Sequence, residues 1–331
     1  MIGKRILKTI ILVVLLAAVV FGGAAGWVYS EFTRPGPLEQ KRAVVVPVGG
    51  GVKSIAQNLA ENGVIRNVHV FELGARLTDG SGSLRAGEFS FPAGASARDV
   101  IDILRDGKTI HRRMTIAEGL SSFQIVSQLN NTEGLVGTIL IIPDEGSLLP
   151  ETYYFSFGDK RSDVVERMQQ GMREAISSMW GTRQEGLPFK SPQEVAVLAS
   201  IVEKETGLPA ERARVASVFI NRLRLKMRLQ SDPTVVYGVT QGREALGRSL
   251  TKADLKKPTP YNTYVIGGLP PEPIANPGLA SIQAVLNPLS TKDLYFVADG
   301  TGGHAFARTL KEHNRNVRKW RKIKAQQNTD G

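Results

Sequence analysis

The chain has 331 residues, 42% of them hydrophobic, which is room for about two domains of ordinary globular composition. Its 42 Lys and Arg outnumber 31 Asp and Glu for a formal charge of +11, and it has no cysteine, which excludes disulfides and thiolate chemistry. Lys4, Arg5 and Lys8 precede an uncharged run from Thr9 to Val28 that is long enough to cross a bilayer. Trp27 and Tyr29 stand at its far end, and the basic flank predicts an anchor with its N-terminus inside. The rival is a cleaved signal peptide, because Gly23-Ala24-Ala25-Gly26 offers small residues, but the apolar run exceeds a usual signal core. After Ser30 no second long apolar run follows, so one body outside the membrane is expected. Lys311, Arg315, Arg318, Lys319, Arg321, Lys322 and Lys324 read as a solvated helix face, and nucleic acid is not an expected partner for a body so placed.

Phe32 to Gln40, with Pro35-Gly36-Pro37, reads as a linker. A small α/β unit follows: a strand over Ala43 to Val48, a turn at Gly49-Gly50-Gly51, and a helix over Ser54 to Asn62 closed by Gly63. Helix Val68 to Leu77, strand Gly87 to Phe91 and a capped helix Ser96 to Asp106 complete it. The larger unit starts near Thr109 and predicts helices at Ser162 to Trp180, Ser191 to Glu205 and Arg212 to Leu225. Gln230 to Gly278, rich in Pro, Gly, Asn, Thr and Tyr, predicts ordered loops, and Leu294 to Val297 a buried strand. The expected class is α+β: tail and transmembrane anchor 1–30, linker 31–42, small α/β module 43–108, larger mixed α/β domain 109–324, disordered tail 325–331.

The helix ending in Leu198-Ala199-Ser200-Ile201-Val202-Glu203-Lys204-Glu205 is the most informative segment. Ser191, Pro192 and Glu194 read as N-cap, first helical residue and capping-box partner; Gly207 and Pro209 read as the stop. At about 100° per residue, Val195, Leu198, Ala199, Ile201 and Val202 share one broad face, with Glu205 near its middle and Glu203 roughly opposite. A carboxyl held against apolar surface keeps its proton to higher pH, as a general acid requires. The same pattern also suits a Glu205 that frays into solvent at the helix end.

Other chemistries lack their residues. His69, His111, His304 and His313 have no paired spacing, so no metal site is expected; no G-x-S-x-G and no phosphate-binding glycine motif occurs. Glu118, Glu145, Glu151 and Asp232, each in a Gly- or Pro-bearing loop, are the other candidates for carboxylate chemistry, although a carboxylate so placed is more often a turn former or cap than a catalyst. Pro258-Thr259-Pro260-Tyr261-Asn262-Thr263-Tyr264 sets two aromatics, an amide and hydroxyls on rigid loops, suited either to a sugar surface or to a structural loop.

Several long strings then resemble one family in order: Ala199 to Thr206, Val215 to Leu223, Leu229-Gln230-Ser231-Asp232-Pro233-Thr234, Tyr261 to Tyr264, Gly268-Leu269-Pro270-Pro271 and Tyr295 to Gly300. By these the chain resembles the YceG-like endolytic murein transglycosylases over residues 43 to about 323. The resemblance implies an inner-membrane anchor with the N-terminus cytoplasmic, a LysM-like module and a periplasmic domain that cuts peptidoglycan glycan strands internally. It implies Glu205 as the acid, with Glu203 to the side. Tyr261, Asn262, Tyr264, Glu151, Asp232 and Thr206 are the expected glycan contacts.

One acid suffices if the substrate supplies the nucleophile. The implied reaction cleaves MurNAc-β-1,4-GlcNAc, closes the C6 hydroxyl onto C1 to leave 1,6-anhydro-MurNAc, and uses no metal or organic cofactor. It would terminate nascent strands beside peptidoglycan synthases, the expected partners. Alternatives are a membrane-anchored, non-catalytic wall-binding scaffold, or a muramidase that hydrolyses with water.

Overall fold

The computed structural model describes residues 2–47, 49–78 and 84–327, with side chains from Ile6 onward. It is a mixed α/β chain in two compact units, Met1–Arg112 with Tyr154–Asp159, and Arg113–Tyr153 with Lys160–Gly331.

The first unit begins with α1 (Ile2–Thr33), a single helix whose apolar stretch from Ile6 to Thr33 is long enough to cross a membrane. It runs three residues beyond Ser30, into the segment expected as linker, because nothing before Pro35 interrupts the helix. Strand β1 (Arg42–Val46) pairs antiparallel with β2 (Gly87–Phe91), Val44 opposite Phe89 and Val46 opposite Gly87. The strand expected to reach Val48 ends at Val46; Val48 itself lies outside the described residues. Between these strands come α2 (Val52–Glu61) and α3 (Val68–Leu77), and α4 (Ala97–Asp106) follows β2. Ser96 and Asp99 form a complete capping box on α4. Val44, Phe89, Phe91, Ile55, Leu59, Phe71, Ile101 and Leu104 make the core of this unit.

Strands β3 (His111–Thr115) and β4 (Thr152–Ser156) pair, with α5 (Ser122–Asn130) between them in sequence. In the second unit α6 (Arg161–Trp180), α7 (Pro192–Glu205), α8 (Pro209–Arg224) and α10 (Leu279–Leu286) pack together. Helix α7 is buried at all eight positions from Val195 to Val202, so over that stretch it is a central core helix with no solvent face. Antiparallel β5 (Tyr295–Ala298) and β6 (His304–Ala307) lie against α8, and α11 (Leu310–Gln327) covers the hairpin. Residues 325–327 are helical, where a disordered tail was expected; 328–331 lie outside the described residues.

Three local expectations differ. The segment 230–278 is not all loop: α9 (Asp232–Thr240) forms there, with Pro233 in its first turn, where a missing N–H costs nothing. Ser191 is the N-cap of α7 but its side chain makes no cap bond; Glu194 instead accepts from Lys190 N at 2.6 Å. Thr206, extended at φ −141° and ψ 129°, ends α7, and Pro209 opens α8 rather than closing α7.

Because Leu198 is fully buried in this core, Leu198→Ala is expected to destabilise the protein by about 3 kcal/mol. A lower denaturant midpoint at unchanged slope checks this.

Candidate functional site

Glu205 is the last residue of α7, and the extended Thr206 turns the chain away beneath it. The Thr206 hydroxyl accepts from Leu208 N at 3.1 Å, so this buried residue shapes the α7–α8 turn. Glu205 is half-buried, and its Oε1 accepts a 2.5 Å hydrogen bond from Ser231 Oγ. Burial pushes its pKa from 4.5 up to about 7; the Ser231 hydrogen bond lowers it, Asp232 raises it, and His304 and Arg222 lower it. The carboxyl is thereby poised to hold or release a proton near neutrality.

Ser231 is held from several directions. Gln230 before it is left-handed, at φ 52°. Ser231 N donates to Thr263 Oγ1 at 2.9 Å, and its carbonyl accepts from Thr234 Oγ1 at 2.7 Å. Thr234 and Thr263 are fully buried and share a 2.9 Å hydroxyl contact. Asn262 is also fully buried: its amide donates to the carbonyls of Asp254, Leu255 and Lys257, and its oxygen accepts from Tyr264 N. It therefore holds the loop that carries Thr263 and Tyr264, where a glycan contact was expected.

Tyr264 and Asp232 stand beside this network, the phenol donating to Asp232 Oδ1 at 2.6 Å. Burial and the Asp232 acceptor push the Tyr264 phenol up. Tyr261 is turned elsewhere: its hydroxyl donates to Glu272 at 2.9 Å and its ring meets Tyr237 edge-on at 4.9 Å. Tyr237 in turn donates to Glu145, whose carboxyl also accepts from Ser122 N and Asn276 Nδ2 and is raised by its burial.

Glu203 points away from Glu205, as its two-residue offset predicts, but not to solvent. It accepts from Gly278 N at 2.9 Å, the N-cap of α10, and lies 3.5 Å from the Arg212 guanidinium. It thus ties α7 to the start of α10. Glu118 shares Arg212 at 3.8 Å, and burial and Glu203 raise it. Glu151, exposed, acts on Glu118 and Tyr153 and belongs to this second group of acids.

Two neighbours of Glu205 escaped the sequence reading. Arg222 is buried, donating from Nε to Leu294 O and from Nη1 to Leu229 O, with its guanidinium over the Tyr295 ring. His304 Nδ1 lies 2.7 Å from Glu211 Oε2, while Glu211 Oε1 accepts from His304 N. Both residues lie close enough to act on the charge of Glu205. Arg222 falls inside one of the family-like strings, but as one more Arg on an amphipathic helix it carried no separate signal; His304 was weighed only as a metal ligand. Among the described residues no group of three or more His, Cys, Asp or Glu is arranged to hold a metal ion. A groove of about 480 Å³ is lined by Ser121, Gln124, Lys204, Asp232, Tyr237 and Thr240 among others, so it reaches the chain neighbours of Glu205 and Ser231.

Two outcomes follow. Removing the Ser231 hydroxyl takes away a group that favours the anion, so in Ser231→Ala the Glu205 carboxyl should titrate above about 7, followed by NMR of its labelled side chain. Asn262→Ala takes the amide donor from the carbonyls of Asp254, Leu255 and Lys257, of which Asp254 O keeps the Lys257 N–H, and should cost about 2 kcal/mol in chemical denaturation.

Compared with known proteins, the YceG-like family matches residues 44–319. The endolytic murein transglycosylase of Bacillus subtilis (strain 168) is 31% identical, over 83% of this chain and 83% of its own length. That of Streptococcus pneumoniae serotype 2 is 27% identical over 92% of this chain, which spans 63% of the streptococcal protein. A crystal structure of a yceG-like protein from Listeria monocytogenes aligns at a TM-score of 0.49 and 28% identity, covering 84% of this chain and 99% of that one.

Proposed function

The chain belongs to the YceG-like family, and on that premise we propose that it is an endolytic murein transglycosylase with Glu205 as its acid. The observation that carries this reading is the half-buried Glu205 carboxyl, pushed to about 7 at the end of a helix buried from Val195 to Val202. Ser231 occupies Oε1 as a donor, so the acidic proton sits on Oε2. In the proposed reaction Oε2 gives its proton to the oxygen joining MurNAc C1 to GlcNAc, and the C1–O bond breaks. An oxocarbenium-like centre forms, with the N-acetyl carbonyl of the sugar placed to stabilise it. The Glu205 carboxylate then takes the C6 hydroxyl proton as that oxygen closes onto C1, leaving 1,6-anhydro-MurNAc and a free GlcNAc hydroxyl. No water is consumed, and the acid is regenerated.

The groove past Lys204 and Asp232 is the proposed bed for the strand, with Tyr264 and Asp232 as glycan contacts. Asn262 and Thr206 serve as scaffold, and no glycan role is assigned to Tyr261 or Glu151. Residues 109–324 form the proposed catalytic domain. Residues 43–108 are proposed as a LysM-like module, supported by the order β1-α2-α3-β2 with its strands antiparallel. The apolar α1 anchors the protein. Lys4, Arg5 and Lys8 support an N-terminus in the cytoplasm and a body in the periplasm, where it would end nascent strands beside peptidoglycan synthases.

Mass spectrometry of uncrosslinked glycan strands incubated with the protein tests this. Internal fragments with anhydro ends are expected, falling by about 10²-fold or more in Glu205→Gln. Reducing ends would make it a hydrolase, and intact strands carried down with the protein a binding scaffold.

The same variant has a stability signature. A carboxyl raised from 4.5 to about 7 costs the native state nothing below 4.5, where it is protonated in both states; stability is lost as pH rises from about 4.5 to 7, where the unfolded chain ionises and the native carboxyl does not, and the loss is complete above 7. Glu205→Gln cannot ionise, so above pH 7 it should be more stable than the parent by up to about 3 kcal/mol, and near pH 4 about equal to it. Thermal unfolding at the two pH values reads this difference.

A further inference from the structure

Leu73 and Leu77 of α3 are 42% and 76% exposed, and among the described residues from 34 to 112 they are the exposed large apolar side chains. They share one helical face with Val70 and Gly74, the face turned to α1. A Cβ on Gly74 would run into the Phe32 ring, so the absence of a side chain there lets α1 and α3 meet closely and fixes their relative height. Beyond this contact the two helices bound an apolar groove of about 740 Å³, walled by Phe21, Ala24, Ala25 and Val28 on α1 and by Leu73 and Leu77 on α3.

The position of that groove decides what fills it. The apolar part of α1 runs 28 residues, from Ile6 to Thr33, and is about 42 Å long at 1.5 Å per residue. A bilayer's hydrocarbon core takes about 30 Å, or some 20 residues. Whether the span starts at Ile6 or at Thr9, Ala24 and Ala25 fall within its last third. Leu77 walls the same groove as these residues. Arg76 and Arg98 are exposed beside it, and Arg98 lines the groove's rim, where long basic chains reach phosphate headgroups.

We propose that the α3 face of the first unit is embedded in the bilayer, Leu73 and Leu77 meeting lipid acyl chains in the leaflet from which the chain emerges. The first unit then rests on the membrane at a set height instead of swinging on a linker. The inference rests on the reading of α1 as a membrane span, and it holds for either orientation of that span.

The cysteine-free chain allows a direct test. Single variants Leu73→Cys, Leu77→Cys, Val14→Cys in the middle of α1 and Lys53→Cys on exposed α2 are labelled with an environment-sensitive NBD dye. The full-length protein is then placed in phosphatidylcholine–phosphatidylglycerol vesicles. At Leu73 and Leu77 the label should emit to the blue of the Lys53 label and lose most of its emission to lipids with doxyl-bearing acyl chains, as at Val14. Quenching by aqueous iodide at Leu73 and Leu77, with Val14 still quenched by lipid, would overturn the inference and leave the anchor standing. Shielding from both quenchers would overturn it in favour of a second protein copy over the groove. A Val14 label untouched by lipid would remove the anchor and this inference together.

Discussion

A carboxyl one turn beyond a helix segment buried on every side is the constraint on which the site depends. Helix α7 is buried from Val195 to Val202, so its final turn delivers Glu205 to a place where water reaches it poorly. The ionised form loses hydration there that one hydroxyl, Ser231, only partly replaces. The core that stabilises the domain therefore also sets the protonation state of its acid. Glu203, two residues earlier, shows the contrast: with Arg212 and the N-terminus of α10 around it, its charge is balanced and serves packing.

The surroundings of Glu205 are built by residues whose hydrogen bonds are already spent. Asn262 saturates its amide on three carbonyls, Thr234 and Thr263 bind one another and Ser231, and Arg222 is drawn onto Leu229 and Leu294. On α8, Arg214 pairs with Asp293 at 2.8 Å, Asn221 donates to Thr291 and Asp293, and Arg222 continues the row. These bonds pin the approach to β5, and so Tyr295, over the guanidinium nearest the site. Buried polar networks of this kind are costly unless complete, which is why these polar residues bond to one another and to the backbone.

A rigid site suits the proposed chemistry. When one group both gives and takes the proton, and the sugar's own hydroxyl is the nucleophile, the rate depends on holding the C6 oxygen near C1. Pro- and Tyr-rich loops locked from beneath leave Asp232 and Tyr264 facing outward on a stiff base. The first unit, by contrast, stands on a short antiparallel pair and three helices, with its apolar α3 face against the membrane helix.

Much of this was legible in residue order. The membrane-length helix, the strands and helices of the first unit and the helix ending at Glu205 follow from hydrophobic period and from Gly, Pro and Ser punctuation, which act over a few residues. Glu205 itself stood out because 100° steps place it on the apolar arc, and Glu203 off it. Helix α9 was hidden, since its Pro and Gly read as loop, and so was the role of the Tyr-Asn-Thr-Tyr segment, where Asn262 and Tyr264 look equally suited to a sugar. Local spacing says which way a side chain leaves its own element. Only the packing of distant segments decides which partner it meets: Ser231 for Glu205, the loop carbonyls for Asn262, Glu211 for His304. That depends on which atoms share the low-dielectric space left when the helices close, a property of the whole chain and of no single stretch.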